Sequence, residues 1–418
     1  MATTFATSYS LLPTQLMPIT LDRRPDDQAI LASTVCQRIA ADPLTHTMGS
    51  KLMRYVIPKI HTAIQTNTFA SILVIGAHTR SPTDIITGNE KADKPFNWQR
   101  PTARVVYAPE GNILQLGVFP GHAYVEHYAA LIATYVASKA VAGTRIPTVH
   151  YRLPPPDASV TLFANSNLRH LGPVDIAIVG YVDSLPNSTG PGDWETATAT
   201  HSGGGEPPLF AWKKRKLQNG QIVAFIGCTA CYWGDIGGQL IRSLKELSGV
   251  REAIYVGKLG TLDERHMPNS VLATGSCSKF HDGGMVEWES VLDRAVQGSS
   301  IVVNGVHCTV ATSLCETKEW ARDWKTKADW VDPEIGHMAR VSIEKGVLFG
   351  YLHVVSDNLS REGLEGLVDE RKATIIADRK KLLQEVEWVL ERYFSEIGER
   401  STREEETAKE TARVPVIR

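Results

Sequence analysis

A chain of 418 residues predicts two domains, or one large domain with an insertion, at roughly 100 to 200 residues per domain. Its 43% hydrophobic and 22% charged residues exclude wholesale disorder, and 44 Lys plus Arg against 46 Asp plus Glu exclude a global basic field for holding nucleic acid. No apolar run approaches the roughly 18 to 20 residues of a membrane helix, and the opening MATTFATSYSLLPTQL lacks a basic and apolar leader, so a cytoplasmic protein with no membrane partner is expected. A Ser- and Thr-rich start with no acid before Asp22 keeps an organelle-transit segment as the lesser alternative.

In chain order, ASILVIGAH (Ala70 to His78) predicts a buried strand, and a polar loop follows through Thr79 to Gln99. The GAHTRS turn, with Gly76, His78, Thr79 and Arg80, suits an anion as well as it suits an ordinary loop. Next, ARVVYAPEGNILQLGVF predicts two strands joined by a turn at Pro109 to Asn112, and HAYVEHYAALIATYVASKAVAG predicts a helix. His122, Glu126 and His127 lie close together on that helix, but a metal-binding pair needs histidines four apart and these are five apart, so a structural role is expected and no metal. PVDIAIVGYVD (Pro173 to Asp183) predicts one more strand. Residues 1–184 thus read as an α/β region with most strands buried on both faces, either a separate domain or part of one sheet shared with the C-terminal half.

From Leu185 to Pro208 the chain is dense in Gly, Pro, Ser and Thr without apolar period, which predicts a linker or long loop and a domain boundary there. The C-terminal half, 209–398, alternates regularly. GQIVAFIG predicts a strand, CTACYWGD a turn, and DIGGQLIRSLKELSG a helix with Ile236, Leu240, Leu244 and Leu247 on one face. EAIYVGKLGTL predicts a second strand ending in a glycine-punctuated loop, so the unit is a strand, crossover helix and strand whose ligand site lies at the carboxyl strand ends. Strands follow at SVLATGSCSKF and SSIVVNGV. ADWVDPEIGHMARVSIEKGVLFGYLHVVSDNLS then predicts a short strand, a helix, and a buried strand ending in Ser356 and Asp357. A long amphipathic helix over about Ala373 to Phe394 covers the rest, and a frayed charged tail, 399–418, closes the chain. The six cysteines fit a reducing compartment, and the Cys228 to Cys231 pair, without a second close pair, reads as small buried thiols and not as a zinc site.

Three positions converge if these strands lie side by side. Glu334 stands at a helix start, where its carboxylate can be held by peptide amides and accept from ligand hydroxyls. Asp357 ends an apolar strand, where a partly desolvated carboxyl stays protonated and can donate to a leaving group. The tracts CTACYWGD and VGKLGT put Gly227, Thr229, Gly257, Lys258 and Gly260 where backbone amides and a Lys could hold an anion.

The order of GQIVAFIGCTACYWGDIGGQLIRSLKEL, EAIYVGKLGTL, ADWVDPEIGHMA and VLFGYLHVVSD resembles the nucleoside phosphorylase and nucleosidase superfamily, over roughly Leu209 to Phe394. The resemblance implies an α/β fold with a phosphorylase-like mixed sheet flanked by helices, and an enzyme acting at the N-glycosidic bond of a nucleoside. It implies that Glu334 binds the ribose hydroxyls, that Asp357 protonates the departing base beside Ser356, and that Thr229 and the Gly257 loop lie on the nucleophile side. Two positions depart from the family pattern. Lys258 stands where a small hydroxyl residue of the phosphate loop is usual, which leaves phosphate as cosubstrate open. Pro333 replaces a Met that packs on the sugar, and His337 follows in the helix as a further substrate contact.

No cofactor is expected, the partner is a small-molecule substrate, and a homo-oligomer is expected. Two other readings stay open: acid-assisted cyclisation or isomerisation of a non-nucleoside in specialised metabolism, and a non-catalytic binding protein that kept the pocket.

Overall fold

The computed structural model describes residues 40–77, 95–106, 111–140, 146–196, 208–364 and 366–398 in full, and 85–86 and 399–413 by backbone alone. His78, Thr79 and Arg80 of the GAHTRS turn lie outside the described residues, as does 197–207 of the expected linker. The fold is mixed α/β, with two sheets.

The smaller sheet has the order β2-β3-β4-β1-β5, formed by β1 (Ser71–Gly76), β2 (Ile85–Ile86), β3 (Thr102–Val106), β4 (Ile113–Val118) and β5 (Thr148–Arg152). β1 runs parallel to both β4 and β5, and the crossover from β4 to β5 is the helix His122–Lys139. In β1, β4 and β5 buried and half-buried residues alternate, so one face packs on that helix and the other is only partly covered. The expectation of strands buried on both faces is therefore corrected for this sheet. The strand that prompted it, β6 (Ile176–Gly180), is buried along its length but belongs elsewhere.

β6 is a central member of the larger sheet. It lies parallel between β8 (Ile222–Cys228) and β9 (Glu252–Thr261), and β7 (Phe210–Lys216) pairs antiparallel outside β8. Beyond β9 come β16 (Leu348–Asn358), β10 (Leu272–Thr274) and β13 (Val302–Asn304). On the same edge of β9 as β6, the sheet continues through β15 (Trp330–Asp332), β14 (His307–Thr309), β11 (Cys277–Phe280) and β12 (Met285–Glu287). A boundary at 185 thus falls inside a structural unit that begins before β6. Sequence could not place β6, because a short buried strand looks the same in either sheet.

Helices Asp235–Ser248 and Ile335–Lys345 cover one face of the larger sheet. Each ends at a glycine in the left-handed region, Gly249 (φ 73°) and Gly346 (φ 61°), where a side chain would be strained. Leu240, Leu244, Met338 and Ala339 are fully buried between them and the strands. The helix Ala373–Arg413 covers the other face with Val386, Leu390 and Phe394. Its backbone carries on past Glu399, where a frayed tail was expected; the Glu-, Lys- and Ala-rich sequence there has high helix propensity.

The smaller-sheet region is clamped to the loops of the larger one. Helix His122–Lys139 begins at Gly121, which has no capping side chain, and Asp235 supplies the cap from the other region. Its carboxylate accepts from the His122 and Ala123 amides at 3.0 and 2.9 Å. His122 Nε2 bonds to the Pro154 carbonyl, and His127 bonds to Thr312 and stacks on Trp233 at 3.9 Å, so both histidines serve structure.

Removing β6 would bare two buried strand edges at the sheet centre. A fragment starting at Leu209 should be insoluble, whereas one starting near Leu171 should be recovered folded in larger yield, as judged by soluble expression and circular dichroism. Equal recovery of the two would mean that β6 is dispensable to the larger sheet.

Candidate active site

β9 offers the key opening. One edge is paired with β16 from Glu252 to Thr261. The other carries β6 as far as Val256 and β15 from Gly260 onward. Among the described strands none pairs with Gly257, Lys258 or Leu259 on that side. Because β6 is parallel and β15 antiparallel to β9, the segments leaving β6, β8 and β15 diverge around this opening, the place where open α/β sheets hold ligands.

Glu334 stands on the β15 side. Asp332, not Glu334, caps the following helix: its Oδ1 accepts from the Glu334 and Ile335 amides, both at 2.9 Å. Asp332 also contacts His307 Nε2 at 3.0 Å and faces His353 Nε2 at 3.6 Å. Burial opposes its charge, but the His307 charge and hydrogen bond, helped by His353, outweigh burial and hold the carboxyl below its ordinary value. Behind it, His307 Nδ1 meets the Ser278 hydroxyl at 2.9 Å, and Ser278 meets Thr309 at 2.8 Å. Relieved of capping, the Glu334 carboxyl accepts from the Gly234 amide at 3.3 Å and from the Tyr255 hydroxyl, and its own backbone amide acts on it as well. Burial and the nearby Asp332 charge push it well above the ordinary carboxylate range. Helix-start amides thus reach the carboxyl, that of Gly234 from the neighbouring helix and that of Glu334 itself, and a phenol joins them.

Asp357 stands near the end of β16, directly after a bulge that breaks the register with β9 between Val355 and Asp357. Ser356, at the bulge, bonds to the Leu259 carbonyl at 3.1 Å and to Asp357 Oδ1 at 2.6 Å, so it orients the carboxyl. Burial raises the Asp357 pKa; the Ser356 hydrogen bond and the Lys258 and Arg379 charges pull against it without cancelling it. Lys258 is ion-paired with Glu370, which also lies 3.6 Å from Arg379.

Several expected contacts have other duties. Gly227 lies within β8, and a side chain there would collide with the Phe96 ring. Gly257 and Gly260 lie within β9, not in a loop: a Cβ would come 2.8 Å from His353 Nε2 at the first and 2.5 Å from Leu359 at the second. These glycines answer to packing, and paired strand replaces the anticipated phosphate loop. The Thr229 hydroxyl is engaged by the Leu209 carbonyl at 3.2 Å and by Gln99 at 2.8 Å, which fastens the smaller-sheet region instead of facing a ligand. His337 lies one turn beyond Glu334, edge-on to Phe280 at 5.3 Å, and burial lowers its pKa.

Sequence reasoning missed a ring of phenols and acids that only the fold assembles. Burial pushes Tyr181 up to about 12 and Tyr232 and Tyr255 well above their ordinary value, so all three are neutral donors, and each lies within electrostatic reach of Glu334. Asp183, just past β6, is within reach of Tyr181 and Tyr232. Tyr55 bonds to Ser313 at 3.1 Å, and both Tyr55 and buried Glu316 feel the Asp357 charge. The smaller-sheet region therefore walls the Asp357 side. Cys231 is common to the surroundings of Tyr55, Tyr232 and Tyr255 and to a shallow recess, open to solvent, lined also by Gln99, Arg100, Thr102 and Tyr124. No helix among the described residues is long and apolar enough to cross a membrane.

No family model matches the chain. The protein Oxidoreductase cns1 of Cordyceps militaris is 28% identical over 180 residues, covering 40% of this chain and 21% of that protein, so the chain spans about a fifth of the length of the curated relative it matches. Among solved structures, the chain is similar to futalosine hydrolase of Helicobacter pylori (TM-score 0.41, 15% identity, 54% of this chain and 99% of that one). It is also similar to the 5′-methylthioadenosine/S-adenosyl homocysteine nucleosidase of Campylobacter jejuni (TM-score 0.41, 14% identity, 52% and 99%). A third is the purine nucleoside phosphorylase of Toxoplasma gondii (TM-score 0.41, 11% identity, 56% and 94%).

The direction of these shifts has a consequence for stability. Glu334 is held above its ordinary value, so folding favours its protonated form; that contribution is complete below the ordinary value and fades as pH rises through the raised one. Glu334→Gln keeps the shape and stays neutral. Its melting temperature relative to the wild type should therefore rise as the buffer goes from about pH 5 to about pH 8. A constant offset across that range would show that Glu334 titrates as an ordinary carboxyl.

Proposed function

We propose that this chain is an enzyme that cleaves the N-glycosidic bond of a nucleoside or a closely related small molecule, with water as the acceptor. The observation that carries the proposal is the placement of Glu334 and Asp357: two desolvated carboxyls, both held toward the protonated form, at the ends of β15 and β16, the two strands that flank the open stretch of β9. The four-motif resemblance adds to it.

In this reading the electron pair of the C1′–N bond leaves with the base, and Asp357 delivers its proton to a base nitrogen. Charge that would otherwise build on the base is thereby neutralised in the transition state. Ser356 fixes the rotamer of that carboxyl, which keeps the acid aimed as the bond lengthens. Water bonds through oxygen to C1′ and loses a proton, and solvent returns Asp357 to its acid form. Glu334 and Tyr255 hold the ribose hydroxyls: a protonated carboxyl both donates and accepts, which suits a vicinal diol. Two features speak for water over phosphate. Thr229 is engaged elsewhere, and Lys258 already has a counter-ion.

Asp357→Asn keeps the shape and loses the acid, so turnover should fall by roughly two orders of magnitude or more with little change in melting temperature. Turnover that survives would make Asp357 a strand-end residue only. Glu334→Ala should weaken binding of ribosides far more than of the free base, since only the sugar loses a partner. Equal losses would remove the sugar role.

Base release from a nucleoside panel, followed with and without phosphate, tests the reaction itself. Release independent of phosphate is expected. Strict phosphate dependence with formation of sugar 1-phosphate would overturn hydrolysis, and no release at all would favour acid-assisted chemistry on a non-nucleoside.

A further inference from the structure

The start of the helix Ile335–Lys345 is held by a closed ring of polar groups that spans three strands. Asp332, on β15, accepts from the Glu334 and Ile335 amides and meets His307 of β14 at 3.0 Å. His307 meets Ser278 of β11, Ser278 meets Thr309 of β14, and Thr309 Oγ1 closes the ring by accepting from the Gly336 amide at 3.0 Å. Three successive amides, those of Glu334, Ile335 and Gly336, are thus engaged by one network, two at its Asp332 end and one at its Thr309 end. The strand ladders put Ser278 opposite His307 and Thr309 opposite Asp332, so strand pairing sets the spacing of the ring. Gly336 makes room for it: a Cβ there would come 2.2 Å from Thr309 Oγ1 and 2.8 Å from Ser278 Oγ. All four side chains of the ring are buried.

From this arrangement we propose that Ser278, His307 and Thr309 are positioning residues for Glu334, acting through Asp332 and the helix start, so that strand residues behind the site set how well the ribose hydroxyls are held. This deepens the nucleosidase reading and rests on it. The argument is one of restraint. A diol is gripped by short directional hydrogen bonds, and a carboxyl displaced by about 1 Å loses much of them. Glu334 has no cation beside it to pull its carboxyl into place, so that group takes its position from its own backbone. The backbone is fastened on both sides, by Asp332 two residues before and by the Gly336 amide two residues after. Opening the ring at Thr309 leaves a buried amide without its acceptor, and a shift of the helix start is the way for that amide to regain one. Such a shift moves Glu334 with it. Sites carried by paired strands hold their geometry more closely than sites on loops, and here the strands reach the acid through hydrogen bonds.

The test has a ligand arm and an arm without ligand. In the first, calorimetry measures the riboside selected by the nucleoside panel, and its free base, against wild type, Thr309→Val, Thr309→Ser and Glu334→Ala. Thr309→Val removes the hydroxyl at nearly constant shape, so it should weaken riboside binding by about five- to tenfold and leave the free base within about twofold. Thr309→Ser restores the hydroxyl and should recover most of the loss, which a role in packing alone would not give. Riboside affinity unchanged in Thr309→Val while Glu334→Ala weakens it would overturn the proposal, as would equal losses for riboside and base. In the second arm, melting temperatures are compared for Thr309→Val, Glu334→Gln and the double variant. Residues joined through one network should give losses that do not add, and strictly additive losses would overturn the proposal whatever the ligand arm shows. Riboside binding that survives Glu334→Ala would strike the sugar reading instead, and the melting cycle would still decide whether the ring governs Glu334. Should Thr309→Val fail to fold, Ser278→Ala opens the ring at the next link and is held to the same outcomes.

Discussion

A strand has only two edges, and the way β9 divides its second one governs the rest of this structure. β16 takes one edge over its full length, while β6 and β15 share the other from opposite directions. Parallel and antiparallel partners cannot merge into one ladder, so the middle of β9 is left between them and the segments that follow β6, β8 and β15 splay outward. Tyr181, Cys231, Tyr232 and Glu334 stand on those segments. Asp357 joins them from the strand on the far side, turned by the bulge at Val355. The site is thus a by-product of strand direction before any side chain is considered.

Within it, one buried acid is charged so that another can be neutral. Asp332 sits among two imidazoles and two helix-start amides, an environment that stabilises an anion despite burial. Two residues on, Glu334 has backbone amides and a phenol but no cation beside it, and the Asp332 charge adds repulsion to desolvation. Neighbouring carboxyls with pKa values pushed in opposite directions are a recurrent way of obtaining both an anion and an acid at neutral pH. Here the supporting residues, Ser278, His307 and Thr309, lie on strands behind the site and are buried almost completely. His353 is neutral at physiological pH, since burial lowers it to about 4 despite Asp332, and its ring fills the space that Gly257 leaves open.

The smaller-sheet region completes the site from above. Phe96 over Gly227, Gln99 on Thr229 and Tyr55 on Ser313 are all contacts across regions, and each touches a residue close to the candidate chemistry. Its packing therefore sets how tightly the Asp357 side is enclosed, and with it how strongly burial favours the protonated carboxyl.

Local pattern was enough for most elements. The 3.6-residue period over Ile236 to Leu247, the apolar runs of β8, β9 and β16, and the crossover unit they build are short-range properties, and Glu334 and Asp357 could be singled out because strand and helix ends are visible in sequence. What each neighbouring residue does was not visible. Glycine looks the same whether it frees a loop for an anion or makes room for Phe96, and a threonine hydroxyl does not declare which region it will bond. Whether Lys258 meets a ligand or Glu370 depends on residues more than a hundred positions apart. Sequence by itself determined most of the elements and pointed to the two acids as candidates, because those follow from periodicity and the ends of strands and helices. Only the tertiary structure decided the membership of β6, the opening on β9 and the ionisation of each acid, because these depend on which distant atoms exclude water or supply charge.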